Sequence, residues 1–148
     1  MSASPLTFST QYSDQDWPKI TAWLANCYWS PGIAQQRVEQ AAQASTLVIG
    51  AFIDDQQIGY ARMISDTVRF AYLADVYVDE NYRGRGIAQQ LTQRLLDHPI
   101  LQGVTRTLLQ TTDAHSLYEK LGFITVPYPE KLMVRNNPQP LDFTQAAN

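Results

Sequence analysis

Between Val76 and Leu91 a β-branched and aromatic run meets a polar turn, glycines follow at 84 and 86, and Ile87, Leu91 and Leu95 then recur on one helical face. The order is strand, glycine loop, helix. Without a Cβ, Gly84 and Gly86 permit a tight turn that brings several backbone N–H groups against a ligand. The first helical turn adds amides with no intrahelical partner and the positive end of the helix dipole, and Arg83 and Arg85 add full charge. Such a place binds phosphate. The dinucleotide fingerprint would need a third glycine where Gln89 stands, and a P-loop would need Gly-Lys-Ser/Thr, which the chain lacks.

What remains is Arg83-x-x-Gly86-x-Ala88 after a strand, which resembles the acyl-CoA pyrophosphate loop of the GNAT superfamily of N-acyltransferases, Gln/Arg-x-x-Gly-x-Gly/Ala. A second stretch, Ala114-x-x-Leu117-Tyr118-Glu119-Lys120-Leu121-Gly122-Phe123, resembles that family's later motif, a helix carrying a tyrosine and ending in Gly-Phe. Together the two cover Tyr72 to Phe123; the first seventy residues agree in element order only. The resemblance implies that Arg83, Gly84, Arg85, Gly86, Ile87 and Ala88 hold the pyrophosphate of acetyl-CoA. It also implies that the strand of Val76, Tyr77 and Val78 splays at a bulge, so that free backbone groups bond the pantetheine and polarise the thioester carbonyl. Thr111 stands where many members have an asparagine that contacts CoA. Tyr118 matches the family's catalytic tyrosine: CoA leaves as a thiolate of pKa about 8.5, and a phenol of pKa about 10 can protonate it.

An alkylamine acceptor must lose a proton before it attacks, so a base or a water chain is needed. Asp75 is the first candidate, because it interrupts the apolar run Leu73-Ala74-Asp75-Val76, where a carboxylate is costly unless paired. Its alternative is structural: a bond to backbone at a strand irregularity, or a pair with Arg62 or Arg69. His115 reads as a surface residue on a first helical turn, and Cys27 as a small core residue. Trp23, Tyr28, Trp29 and Tyr72 could form an aromatic acceptor pocket, with Trp29, beside Pro31-Gly32, the one most expected to line it.

The elements that must position these residues follow from period and punctuation. Leu6 to Gln11 reads as a first strand. Asp14 or Asp16 caps a helix running to about Tyr28, with Pro18 in its first turn. Ile33 to Ala44 reads as a weaker helix, a lid over a pocket. Strands follow at 47–53, 58–64 and 68–78, the last being the central strand that feeds the glycine loop. A helix from Gly86 stops at His98 before Pro99. Val104 to Thr111 reads as a strand, Asp113 as the cap of a short helix closed by Gly122, and 123–126 and 132–135 as a closing strand pair. The tail 136–148 is expected to be mobile or strapped over the surface. This is an α/β (α+β) mixed sheet, mostly antiparallel and flanked by helices, in the GNAT-like order.

With 148 residues, 45% hydrophobic and 17% charged, the chain fits one domain, 1–148. The net charge of −3 and the two loop arginines supply too little positive charge to hold nucleic acid. No apolar run of roughly 20 residues spans a membrane and no signal peptide is evident, so a cytoplasmic location is expected. One cysteine and two distant histidines give no metal-ligand spacing. The expected activity is acetyl transfer from acetyl-CoA to a primary amine of a small molecule, by direct attack in a ternary complex and without metal. The alternatives are a protein lysine or N-terminal acceptor, or a non-catalytic acyl-CoA-binding module. Family members often dimerise, so a homodimer is possible.

Overall fold

The structure is a computed structural model and describes residues 4–141. The chain divides into two compact units, Met1–Asp113 and Ala114–Asn148. In the first, β1 (Thr7–Ser9), β2 (Leu47–Ile53), β3 (Gln56–Ser65), β4 (Phe70–Val78) and β5 (Arg106–Leu108) form one sheet in chain order. Neighbours from β1 to β4 pair antiparallel, and β4–β5 pair parallel. The expected class of mixed, mostly antiparallel sheet with flanking helices is present. β3, not β4, is the middle strand.

Alternation along the strands assigns the faces. Tyr60 and Val48 meet α1 (Trp17–Ala25) and α2 (Gln35–Gln43) in a core with Trp17, Ile20, Leu24, Val38 and Ala42. On the opposite face Ile49, Ala61, Met63, Ala71 and Leu73 are buried, and α3 (Ile87–Leu96) packs there with Ile87, Leu91 and Leu95. Two buried glutamines tie the start of α1 to the sheet. Gln57 donates to Gln15 Oε1 at 2.8 Å and accepts from the Asp16 amide at 2.6 Å, and Gly50 leaves the room, since a Cβ there would meet both side chains.

Several elements end earlier than their periodicity suggests. α1 is capped by Asp16, whose carboxylate accepts from the Lys19 amide at 3.1 Å, but it stops at Ala25. Its last carbonyls are taken by a turn: Ser30 Oγ donates to Leu24 O at 2.7 Å and the Gly32 amide to Ala25 O at 2.9 Å, with Gly32 at φ +70°. Tyr28 therefore lies in that turn and not on the helix. α2 is rooted by Val38 and Ala42 in the core, so it is a packed element where the sequence suggested a loose lid. α3 ends at Leu96 and a 3-10 turn, Pro99–Leu101, follows.

β5 holds only three of the eight residues expected, the three that find partners on β4. Between β3 and β4, Asp66 accepts from the amides of Val68, Arg69 and Phe70 at 2.9, 2.7 and 3.0 Å, which fixes the register of β4. These bonds hold its carboxyl below the usual range.

In the second unit α4 (His115–Glu119) starts after Ala114 with no side-chain cap, so Asp113 does not cap it. The expected strands at 123–126 and 132–135 are absent among the described residues; a 3-10 turn, Pro129–Lys131, lies between them. Pro127 and Pro129 remove ladder donors there, and Ile124 and Met133 are exposed, with no apolar layer to cover them. Residues 136–141 are exposed coil, and the rest of the tail lies outside the described residues. Among the described residues no helix is long and apolar enough to cross a membrane.

Candidate active site

The glycine loop is braced from behind by its own flanking side chains. The Asp79 amide donates to Ile58 O at 2.8 Å, and its carboxylate accepts from the Asn81 amide at 2.9 Å, starting the 3-10 turn Glu80–Tyr82. Arg83 Nε donates to Val78 O at 2.9 Å, and its guanidinium lies 5.1 Å from the centre of the Tyr77 ring. Tyr77 in turn stacks on Trp23 at 5.2 Å, and Arg85 sits over Tyr82. Gly84 and Gly86 adopt φ of +78° and +76°. A Cβ at either would meet nothing within 4 Å, so the left-handed backbone, not crowding, is what calls for glycine here.

Gly86 is the N-cap of α3, and no side chain caps that end. The first main-chain bond of the helix runs from the Gln90 amide to Gly86 O. The amides of Ile87, Ala88 and Gln89 precede that bond and face the loop, while the buried Ile87 side chain anchors the turn.

Just upstream β4 is irregular. Tyr60 pairs with Tyr77 and Arg62 with Ala74, so Asp75 and Val76 together face Ala61 alone. Asp75 takes φ +56°, rare for a residue with a side chain. On the other edge, pairing with β5 ends at Tyr72–Leu108. From Leu73 to Val78 the strand has no ladder partner on that side among the described residues, so the β4 edge is free through the bulge that leads into the glycine loop.

The Asp75 side chain is occupied. Oδ1 accepts from the Trp29 indole N–H at 3.0 Å and Oδ2 from Arg62 Nε at 2.7 Å, and Arg62 Nη1 donates to Ser45 Oγ at 3.2 Å. Of the two possibilities weighed for Asp75, this geometry matches the ion pair at a strand irregularity. Tyr28 meets Trp29 edge-on at 5.1 Å, and its hydroxyl accepts from Thr112 Oγ1 at 3.1 Å. Tyr72, half-buried on the same face as Arg62, has its phenol pushed up by burial, with Arg62 opposing and Asp75 adding to the shift. Trp29, Tyr28, Arg62, Asp75 and Tyr72 therefore form one neighbourhood. Trp23 does not belong to it; it backs Tyr77 under the loop.

Thr111 is half-buried in the coil after β5. In the second unit Tyr118 is buried on α4, 5.9 Å edge-on from Phe123, and the Phe123 amide donates to Tyr118 O at 3.1 Å across the Gly122 turn, φ +92°. His115 is exposed at the first position of that helix.

Cys27 is buried, and its thiol donates to Trp23 O at 3.4 Å. Burial, and then the Asp75 carboxylate, push its pKa up, with Arg83 opposing. Because only the thiolate reacts, iodoacetamide at pH 8 should modify the native protein far more slowly than the urea-unfolded chain. Equal rates would remove Cys27 from the core.

What sequence reasoning missed is mostly long-range: Ser45 as a partner of Arg62, and Thr112 as a partner of Tyr28. Arg62 itself carried a signal, a lone charge in an apolar strand, as Asp75 is in the neighbouring one.

Comparison with known proteins agrees with this arrangement. The family described as Acetyltransferase (GNAT) family matches residues 10–123. A solved structure from Xanthomonas campestris pv. campestris, assigned to the GNAT acetyltransferases, is 38% identical, with 93% of this chain and 96% of that one covered at a TM-score of 0.85. A Clostridium acetobutylicum structure described as a predicted acetyltransferase with acetyl-CoA shares the fold at 16% identity and TM-score 0.67, covering 89% of this chain and 96% of that one. Among curated proteins, a Gibberella zeae relative whose name assigns it to the acetyltransferases is 40% identical over 68 residues, 44% of this chain; the match spans only 37% of that protein's length. The loop, the bulged strand and the family match over most of the chain lead to one assignment: the chain belongs to the GNAT family of acyl-CoA-dependent acetyltransferases.

Proposed function

We propose that this protein transfers an acetyl group from acetyl-CoA directly to a primary amine of a small molecule within a ternary complex. The observation that carries the reading is the free β4 edge beyond Tyr72 together with an α3 N-terminus that no side chain caps. The donor set suits acetyl-CoA: free first-turn amides and arginine charge for a pyrophosphate, and unpaired strand edge for an amide-bearing arm. Arg83, Gly84, Arg85, Gly86, Ile87 and Ala88 would hold the pyrophosphate, Val76, Tyr77 and Val78 the pantetheine, and Thr111 the far side of that arm.

Acetyl-CoA supplies an activated acyl thioester. The acceptor nitrogen forms a bond to the acyl carbon, the carbon–sulfur bond breaks, and the nitrogen sheds its extra proton. A main-chain amide of β4 at the bulge is the donor for the developing oxyanion. Tyr118 Oη is the proton source for the departing sulfur. Taking the amine's proton would neutralise the Asp75 carboxylate and cost its ion pair with Arg62, so water is the more direct route for that proton.

Release of free thiol from acetyl-CoA, measured across a panel of small primary amines with mass identification of the product, tests the reading. Amine-dependent thiol release with an N-acetylated product is expected. Acetyl-CoA binding with transfer only to peptide lysines or N-termini would replace it.

A further inference from the structure

We infer that the acceptor this site selects is a primary amine carrying an aromatic group, that Trp29 is the wall on which the group stacks, and that Asp75 is the positioning residue that fixes the wall. The inference rests on the acetyl-transfer reading and adds the substrate class to it.

Trp29 is 44% exposed and Tyr28 64% exposed, although each ring is large and apolar enough to favour burial. Their exposure is not slack. The indole N–H is satisfied inside the protein by Asp75, and the Tyr28 hydroxyl accepts from Thr112, so both rings are held at their polar ends while much of each residue stays exposed. The turn that carries them is held to α1 by the Ser30 and Gly32 bonds, which gives the rings a set orientation. The apolar surface continues along the sheet. Ile64 pairs with Tyr72 across β3 and β4, and Ile64 and Phe70 are 41% and 40% exposed on that face.

Charge argues in the same direction. Asp75, the acid bonded to Trp29, is paired with Arg62 at 2.7 Å, so its carboxylate does not wait for a second ammonium. Arg62 is cancelled by the same pair, so a carboxylate on the acceptor gains little. A polyamine and an amino acid would each bring a charge the site does not answer. A flat apolar arm meets a fixed aromatic face, and its amine reaches toward the bulge that Asp75, bonded to that face, occupies.

The experiment is steady-state kinetics at saturating acetyl-CoA with phenethylamine, putrescine and glycine, for the wild type and for Trp29→Ala, Asp75→Ala and Asp75→Asn. In the wild type phenethylamine should give the highest kcat/KM. Trp29→Ala should cut its advantage over putrescine roughly tenfold, through KM more than kcat. Asp75→Asn still offers an oxygen to the indole N–H, so it should lower that ratio less than Asp75→Ala, and the acid limb of its pH–rate profile should survive. Stabilisation of each variant by acetyl-CoA separates a lost wall from a lost fold.

Preference for putrescine or glycine, an equal loss for all three amines in Trp29→Ala, or disappearance of the acid limb in Asp75→Asn would overturn the inference. Should no amine be acetylated while acetyl-CoA still binds, the transfer reading falls by itself. Tryptophan fluorescence of the CoA-bound protein then decides the wall: quenching by phenethylamine that Trp29→Ala abolishes supports it, and no quenching in the wild type overturns it.

Discussion

Replacing Tyr118 by phenylalanine is expected to lower kcat by about 10²- to 10⁴-fold, the usual contribution of a positioned general acid. The change removes one oxygen. The ring keeps its edge-on contact with Phe123, so the variant should still be stabilised by acetyl-CoA. Because the lost interaction forms only as the thiolate departs, kcat and kcat/KM should fall together. A KM effect alone, or a kcat within about threefold of the wild type, would take the proton-donor role away from Tyr118.

Gly86→Val should act on binding instead. At φ +76° an L-residue costs about 1–2 kcal/mol, and a β-branched one more. A Cβ there meets open space, so the chain can relieve this strain by leaving the left-handed region, and doing so turns the first amides of α3 away from the loop. Carried wholly into affinity, that cost weakens acetyl-CoA binding by roughly 5- to 30-fold. Gly86→Ala should sit between valine and the wild type. Titration calorimetry with acetyl-CoA reads the series directly; three equal dissociation constants would show that the loop backbone does not hold the ligand.

The parts of this fold that were legible in the sequence are those set by local chemistry. Asp16 caps α1, Gly86 opens α3, Gly122 closes α4, and the hairpin of β2 and β3 follows from two apolar runs, 47–53 and 58–64, around a polar turn, with β3 starting two residues earlier, at Gln56. The errors share a cause. Apolar character at 104–111, 123–126 and 132–135 reads as strand, but a strand also needs a partner edge. β4 offers β5 partners only from Phe70 to Tyr72, and the prolines at 127 and 129 lack the donors a ladder needs.

The site was legible as chemistry and not as geometry. Asp75 stands out because a carboxylate in an apolar strand must be paired, and Arg62 is one of the partners that reasoning names. Its second bond, to Trp29 46 residues earlier, depends on where a turn after α1 comes to rest, and no local rule gives that. The bulge is likewise a property of two strands counted against each other, invisible in either alone.

The central claim, that the glycine loop and the free β4 edge hold acetyl-CoA, is tested most directly by thermal unfolding with and without acetyl-CoA, with NADH and ATP as controls. At about 100 times its dissociation constant a ligand of the native state adds about 2.7 kcal/mol. In a domain of this size that is a rise of several degrees in Tm. A rise with acetyl-CoA that NADH does not reproduce is the predicted result; no rise at saturating acetyl-CoA, or an equal rise with NADH, would contradict the account.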